Sequence, residues 1–437
     1  MVLDRRSFIR HVSMLSTGLF LSPAWSSTSA AGARRRFHLC LNADALDRDP
    51  ELLSIVKNAG VDTIWLAGFF YGHWPYAVER LRAAREKIEA AGMAVHIVNV
   101  PLGHPGDSLD AKDGDFPLTP PRSWKPANRP DGSTYAGTSL HDPATKENAA
   151  ALKTLRAAGF SHFFLDDDFR LAPAPGQIGG CFCPEHRGEF LRRGGYSDAK
   201  WSELLADVKE RRLTPLLREW IDFQCDALTH SFREQQKAAG EGNLGIMVMY
   251  LGAEKAGIRL TDYRDVPFRV GELMFDDSSF GRVKGKTDEL FSALMHRRFA
   301  QPELAFSEST AFPADRLSAR NLAAKLAVST LADVRHTMFM SGITPFPRTH
   351  WETLGPAMKR QANCHEKLMG HRPRGPFKHF WGEAGRRVGD DQPFSLFLAM
   401  GVPFEVTEKP PKDGWTFLAD CDARALESGT ESRAGTA

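Results

Sequence analysis

No uninterrupted apolar run in these 437 residues is long enough for a permanent membrane span; the apolar segment near the N-terminus, residues 12–25, is short and broken by Ser and Gly. An excess of charge of one sign is missing too. Lys and Arg number 56 against 54 Asp and Glu, a formal balance of +2, so beyond the local cluster Arg34-Arg35-Arg36 nothing attracts a polyanion, and no nucleic-acid partner is expected. Cysteine is sparse: six residues at this length do not make a disulfide scaffold, and Cys40, Cys225, Cys364 and Cys421 are scattered. No Gly-x-Gly-x-x-Gly follows a strand-like run and there is no P-loop, which disfavours a dinucleotide enzyme. His365-Glu366 is followed by His371, not by a histidine at the spacing a zinc-protease helix needs.

What is present points to one large unit with an appendage. A hydrophobic content of 42% can fill a sizeable core, and a single barrel of alternating strands and helices commonly takes about 250 residues. At the N-terminus, Asp4-Arg5-Arg6-Ser7-Phe8-Ile9-Arg10 sets two arginines ahead of a hydrophobic pair, and the apolar segment ends in Ser29-Ala30-Ala31-Gly32-Ala33. This resembles a twin-arginine signal, which implies the Tat export machinery as a partner and a periplasmic or secreted mature chain beginning near Arg34. Residues 1–33 are therefore set apart from the fold.

From residue 34 onward strands and helices alternate. Apolar runs at 37–41, 63–66, 95–100, 163–165, 244–250, 270–275, 304–307 and 337–340 read as eight strands, each followed by a helix or by a loop long enough to return. Thr214 is a good N-cap with Pro215 in the first helical position, and Leu217, Ile221, Cys225, Leu228 and Phe232 form the stripe of a long amphipathic helix. The pattern predicts an α/β fold, a (β/α)8 TIM barrel over 34–345, then a connecting helical segment over 346–375 and a small α/β domain over 376–437. Residues 101–135, rich in Pro, Gly and Asp without a period, read as a long surface loop.

The chain is organised around Phe163-Phe164-Leu165-Asp166-Asp167-Asp168-Phe169-Arg170. An apolar strand delivers three carboxylates at once to the face where barrels hold their sites, and adjacent acids repel unless a metal, an arginine or a substrate uses the charge. Asp276 after the sixth strand and Glu308 after the seventh join Asp166 and Asp168 as catalytic candidates; a strand-ending acid can instead cap the next helix, a reading that suits Asp44 and Asp277, whereas Pro313 delays the helix after Glu308. Alternation along an extended segment sets Asp166 and Asp168 on one side and leaves Asp167 on the other. Paired carboxyls at a barrel mouth suit glycoside hydrolysis, in which one protonates the departing oxygen while the other attacks the anomeric carbon or activates water. Asn42, His73, His104, Arg170 and Glu254 are polar candidates for holding a sugar, and Tyr71, Trp74, Trp124 and Phe312 for stacking on it.

One loop stands apart. Gly180-Cys181-Phe182-Cys183-Pro184-Glu185-His186 places two thiols and an imidazole close enough for three zinc ligands, with no fourth evident, so a structural zinc and a packed or oxidised loop both remain open. No other cofactor is implied.

With an acid ending its fourth strand and Glu308 ending its seventh, the barrel resembles the retaining glycosidases of the large beta-galactosidase clan. The stretch from Pro393 to Val406, with Asp413-Gly414-Trp415-Thr416-Phe417-Leu418 after it, is similar to the flavodoxin-like trimerisation domain of one beta-galactosidase family, here incomplete because the chain stops at Ala437. The resemblance implies a carbohydrate substrate, Glu308 as nucleophile, and compatibility with a homo-oligomer. It breaks at the fourth strand, where that clan has Asn-Glu. In the alpha-galactosidase clan the working pair are aspartates after strands four and six, an arrangement that Asp166 or Asp168 with Asp276 would fit. Two alternatives stand beside the glycoside hydrolase: a catalytically silent carbohydrate-binding barrel, and a metal-dependent hydrolase or lyase using the acidic triplet.

Overall fold

Eight short buried runs pair side by side in parallel and close into a barrel, as shown by a computed structural model that describes residues 34–103, 120–166, 169–174, 176–271, 274–390, 398 and 400–427. In chain order the strands are β1 (Arg36–Leu41), β2 (Thr63–Phe70), β3 (Ala94–Val100), the ribbon pair β4 (Pro126–Asn128) and β5 (Thr134–Thr138), then β6 (Phe163–Leu165), β7 (Leu244–Met249), β8 (Phe268–Gly271), β9 (Ala305–Thr310) and β10 (His336–Met340). The barrel order β1-β10-β9-β8-β7-β6-β3-β2 makes β6 the fourth barrel strand, β8 the sixth and β9 the seventh. Strands covered on both faces read as continuous apolar runs, which is why β2 is buried along its whole length.

The outer helices are α1 (Ala45–Arg48), α2 (Leu52–Ala59), α3 (Val78–Ala90), α4 (Ala144–Ala157), α5 (Pro184–Gly194), α6 (Asp198–Glu210), α7 (Pro215–Ala239), α8 (Asp277–Phe280), α9 (Val283–His296), α10 (Ala319–Leu331) and α11 (Arg348–Leu368). The long helix α7 begins as its sequence dictates, with the Thr214 hydroxyl accepting from the Leu217 amide (3.1 Å) and Pro215 in the first turn. Its stripe packs against α4 and the strands.

A second, three-stranded parallel sheet follows, of order β12-β11-β13, from β11 (Phe377–Phe380), β12 (Phe404–Thr407) and β13 (Trp415–Leu418). Its short helix α12 (Glu383–Val388) is gripped by the barrel. Arg386 pairs with Glu254 (3.0 Å), the buried Lys255 donates to the Gly389 carbonyl (2.9 Å), and Arg387 reaches Asp222 on α7 (2.8 Å).

Two expectations change here. The sixth strand ends at Gly271, well before Asp276, and residues 101–135 are not all loop, since β4 and β5 form an antiparallel ribbon over Pro126–Asn128 and Thr134–Thr138. The residues 1–33, His104, Asp167, Asp168 and 393–397 lie outside the described residues. Among the described residues no helix is long and apolar enough to cross a membrane.

The floor of the barrel, at the N-terminal ends of its strands, is lined with histidine. His38 and His336 face each other (3.0 Å), Trp65 donates to the other ring nitrogen of His38 (3.2 Å), and beyond Trp65 lie His96 and His162, their rings 4.5 Å apart. Burial holds all four imidazoles below their ordinary pKa, His38 down to about 3, and the nearby charges acting on His38 and His336 are the cations Arg36 and Arg335. The unfolded chain takes up these protons near pH 6.5 and the folded one does not. Their contribution is thus complete above that pH and is lost as pH falls toward the folded values. Urea unfolding is expected to show stability dropping from pH 6.5 to 4, with a shallower slope in the His38→Asn/His336→Asn double variant; an unchanged slope would show that carboxylates elsewhere govern the acid limb.

Candidate functional site

Asp166 follows the last residue of β6, its amide held by the Asn99 carbonyl of β3 (2.8 Å), and Glu308 lies on β9 with its side chain turned into the barrel. Between them stands Arg269, from the middle of β8 and wholly buried. Its Nη2 donates to the Asp166 carboxylate and its Nε lies 3.4 Å from Glu308 Oε2, so adjacent nitrogens on one guanidinium edge serve two acids from different strands. Thr310 Oγ1 donates to the other Glu308 oxygen. Met338 and Met340 sulfurs (2.9 and 3.3 Å) and the Phe164 ring (5.3 Å to its centroid) close around the guanidinium.

A cation in such a setting needs its partners. Burial alone would lower the pKa of Arg269, but Asp166 and Glu308 outweigh it and hold the pKa above the usual arginine value. The same acids, after burial itself, push the neighbouring Cys40 thiol up, so it stays a neutral core residue. Asp166 and Glu308 are thereby brought together on one cation.

The other candidates are placed as follows. Asp276 caps α8, accepting from the Ser278 hydroxyl (2.6 Å) and from the Ser279 and Ser278 amides (2.8 Å each), which together hold its carboxyl below the ordinary range. Asn42 caps α1 through the Ala45 amide (2.7 Å), Arg170 donates to the Ala172 carbonyl (3.0 Å), and Glu254 is engaged by Arg386 beneath α12. Tyr71 is buried, and Trp124 is buried with its indole N–H on Glu147 (2.6 Å). Trp74 and Phe312 are the two stacking candidates that stay open to solvent, at 38% and 37% exposure; His73 is half-buried beside Trp74. A cleft of about 1310 Å³ opens at the opposite end of the barrel, between α2 and α11, away from the face that carries Asp166.

The cysteine loop gains a further donor from the fold. Gly180 has φ +80°, and any Cβ there would collide with Gln224, whose side chain accepts from the Cys181 amide (3.1 Å). The chain so turned presents Cys183 as N-cap of α5, with its sulfur 3.4 Å from His186 Nδ1 and 3.4 Å from His141 Nε2. The three donor atoms lie within 4.8 Å of one another, and ligands on a tetrahedral zinc sit roughly 3.5 Å apart. Cys181 hydrogen-bonds Cys183, and that bond, with His141 and His186, lowers the Cys183 pKa while Cys181 itself is raised by burial. Cys183, His186 and His141 are thus placed to share one zinc ion, with Cys181 beside Cys183 but outside that set of three. His141 precedes α4 and Cys183 precedes α5, so the cluster joins the loops that follow neighbouring barrel strands β3 and β6.

The closed eight-stranded parallel barrel is shared, at the level of fold, with solved structures of low sequence identity. No family model and no curated protein matches the sequence. The structure is similar to the beta-galactosidase of Marinomonas ef1 (TM-score 0.57, 10% identity, covering 90% of this chain and 74% of that one) and to the cold-adapted beta-galactosidase of Rahnella sp. R3 (0.53, 12%, 88% and 66%). It is also similar to alpha-L-fucosidase isoenzyme 2 of Paenibacillus thiaminolyticus (0.53, 13%, 90% and 62%). The chain spans about two thirds of the Rahnella and Paenibacillus proteins.

Proposed function

We propose that the protein is a glycoside hydrolase that cleaves an oligosaccharide or glycoside with paired carboxylates at the barrel mouth. The observation that supports this reading is the meeting of Asp166 and Glu308, from the fourth and seventh strands, on one buried cation. A carboxylate bound to a guanidinium is suited to attack or to stabilise a developing oxocarbenium ion. Glu308 is the nucleophile in this scheme, and Asp166 or Asp168 acts from the fourth strand, with the open rings of Trp74 and Phe312 available to a sugar face. The anomeric preference of the known likenesses is not uniform, so the substrate is put no more narrowly than a glycoside.

The test is turnover of a panel of nitrophenyl α- and β-glycosides and of plant and bacterial oligosaccharides. The rival reading, a silent barrel that binds carbohydrate, draws support from the burial of Tyr71 and Trp124 and from the pairing of both acids with Arg269. Saturable sugar binding without turnover on any member of the panel would establish the rival. We further place the protein in the periplasm through its twin arginines; cell fractionation that finds the Arg5→Lys/Arg6→Lys chain exported as before would remove that assignment.

A further inference from the structure

We infer that Arg269 is a positioning residue of the site, acting through the two carboxylates by fixing their separation and orientation; the inference rests on the reading of Asp166 and Glu308 as the reacting pair. Arg269 sits in the middle of a four-residue strand whose other side chains are apolar or absent, Phe268, Val270 and Gly271, and it has no solvent exposure. A buried charge at such a place is costly unless it is paired and its hydrogen-bonding groups are used. Here the described carboxylates that balance it belong to the candidate site: Asp166 hydrogen-bonded on Nη2 and Glu308 in an ion pair 3.4 Å from Nε without a hydrogen bond, while Nη1 turns to the two methionine sulfurs.

The planar fork makes the arrangement specific. Nε and Nη2 lie on the same rigid edge and face the two carboxylates, so the guanidinium ties their relative position in a way that a lysine, a point charge on a flexible stem, cannot reproduce. Glu308 is fixed from its other side by Thr310. Rigid placement of reacting groups supplies a large share of a catalytic barrier, and small displacements forfeit it. Substrate contact is not required of Arg269 for this; its effect passes through the acids.

Two variants test the inference: Arg269→Lys, which keeps the charge and loses the edge, and Arg269→Ala, whose cavity can admit a guanidinium ion. On whichever glycoside the wild-type protein hydrolyses, Arg269→Lys is expected to lower kcat by about a hundredfold with little change in KM, and millimolar guanidinium is expected to restore part of the turnover of Arg269→Ala. Wild-type kcat in Arg269→Lys, or a folded Arg269→Ala that guanidinium does not rescue, would overturn the inference. A second readout needs no turnover. Guanidinium should raise the melting temperature of Arg269→Ala and should fail to do so once Asp166→Asn and Glu308→Gln are added. If guanidinium leaves the melting temperature of Arg269→Ala unmoved, or raises it equally in the triple variant, Arg269 does not act through these acids. A protein that hydrolyses nothing yet passes this second test overturns the glycosidase reading and leaves Arg269 as the organiser of the acid pair.

Discussion

Changing Glu308 to Gln is expected to lower turnover by on the order of a thousandfold or more, because the amide can neither form nor release a bond to the anomeric carbon. The substitution is close to isosteric. Its carbonyl oxygen can still accept from Thr310, while Arg269 keeps Asp166 as an anionic partner, so the cost to folding should stay within about 3 kcal/mol and the variant should be isolable. Asp276→Asn is the matched comparison. Asp276 accepts two amide hydrogens at the start of α8, and Asn caps a helix about as well as Asp, so near-normal turnover and stability are expected. The reverse result, a dead Asp276→Asn beside an active Glu308→Gln, would move the chemistry to the fourth and sixth strands. Stereochemistry follows from the carboxyl separation measured with a bound sugar, about 5 Å for retention and about 6.5–9.5 Å for inversion.

The barrel could be read from the chain because each strand is a local signal. A run such as Thr63-Ile64-Trp65-Leu66 is apolar on both faces wherever it sits, since both faces of a barrel strand are covered. Asp166 and Glu308 were legible for a related reason: a carboxylate straight after or within such a run stands out against it. Arg269 was not. It lies between Phe268 and Val270, where a positive charge argues against a strand, and the expected sixth strand accordingly started two residues late and ran past Gly271. Its justification is Asp166, 103 residues away, and a pairing at that distance leaves no local trace. Trp124 illustrates the opposite error of locality. An aromatic residue in a Pro-rich stretch looks like a stacking platform until the fold supplies Glu147 for its N–H and Phe69, Ala144 and Ala151 for its ring.

The same blindness hid His141, 42 residues before Cys183, and this is where metal analysis is most informative. Cys183, His186 and His141 are placed to share one structural zinc beside Cys181, so protein purified without chelator is expected to carry about one zinc per chain. His141→Ala and Cys183→Ser should each lose it. Because the site would tie the loop before α4 to the loop before α5, and because such an ion binds the folded chain far better than the unfolded one, its removal should lower the melting temperature by several degrees. His141→Ala is the decisive variant, for if the donors of the loop suffice, zinc is retained there. An oxidised loop gives a different result: no zinc, and Cys181 and Cys183 resistant to alkylation until a reductant is added. The consequence for the acid pair is also measurable. β6 delivers Asp166 immediately before the segment that leads to this cluster, so under the zinc arrangement turnover should fall on chelation together with the loss of thermal stability and return when zinc is restored. Turnover that disappears at a chelator concentration leaving the melting temperature untouched would mean that a metal acts elsewhere, in the chemistry itself.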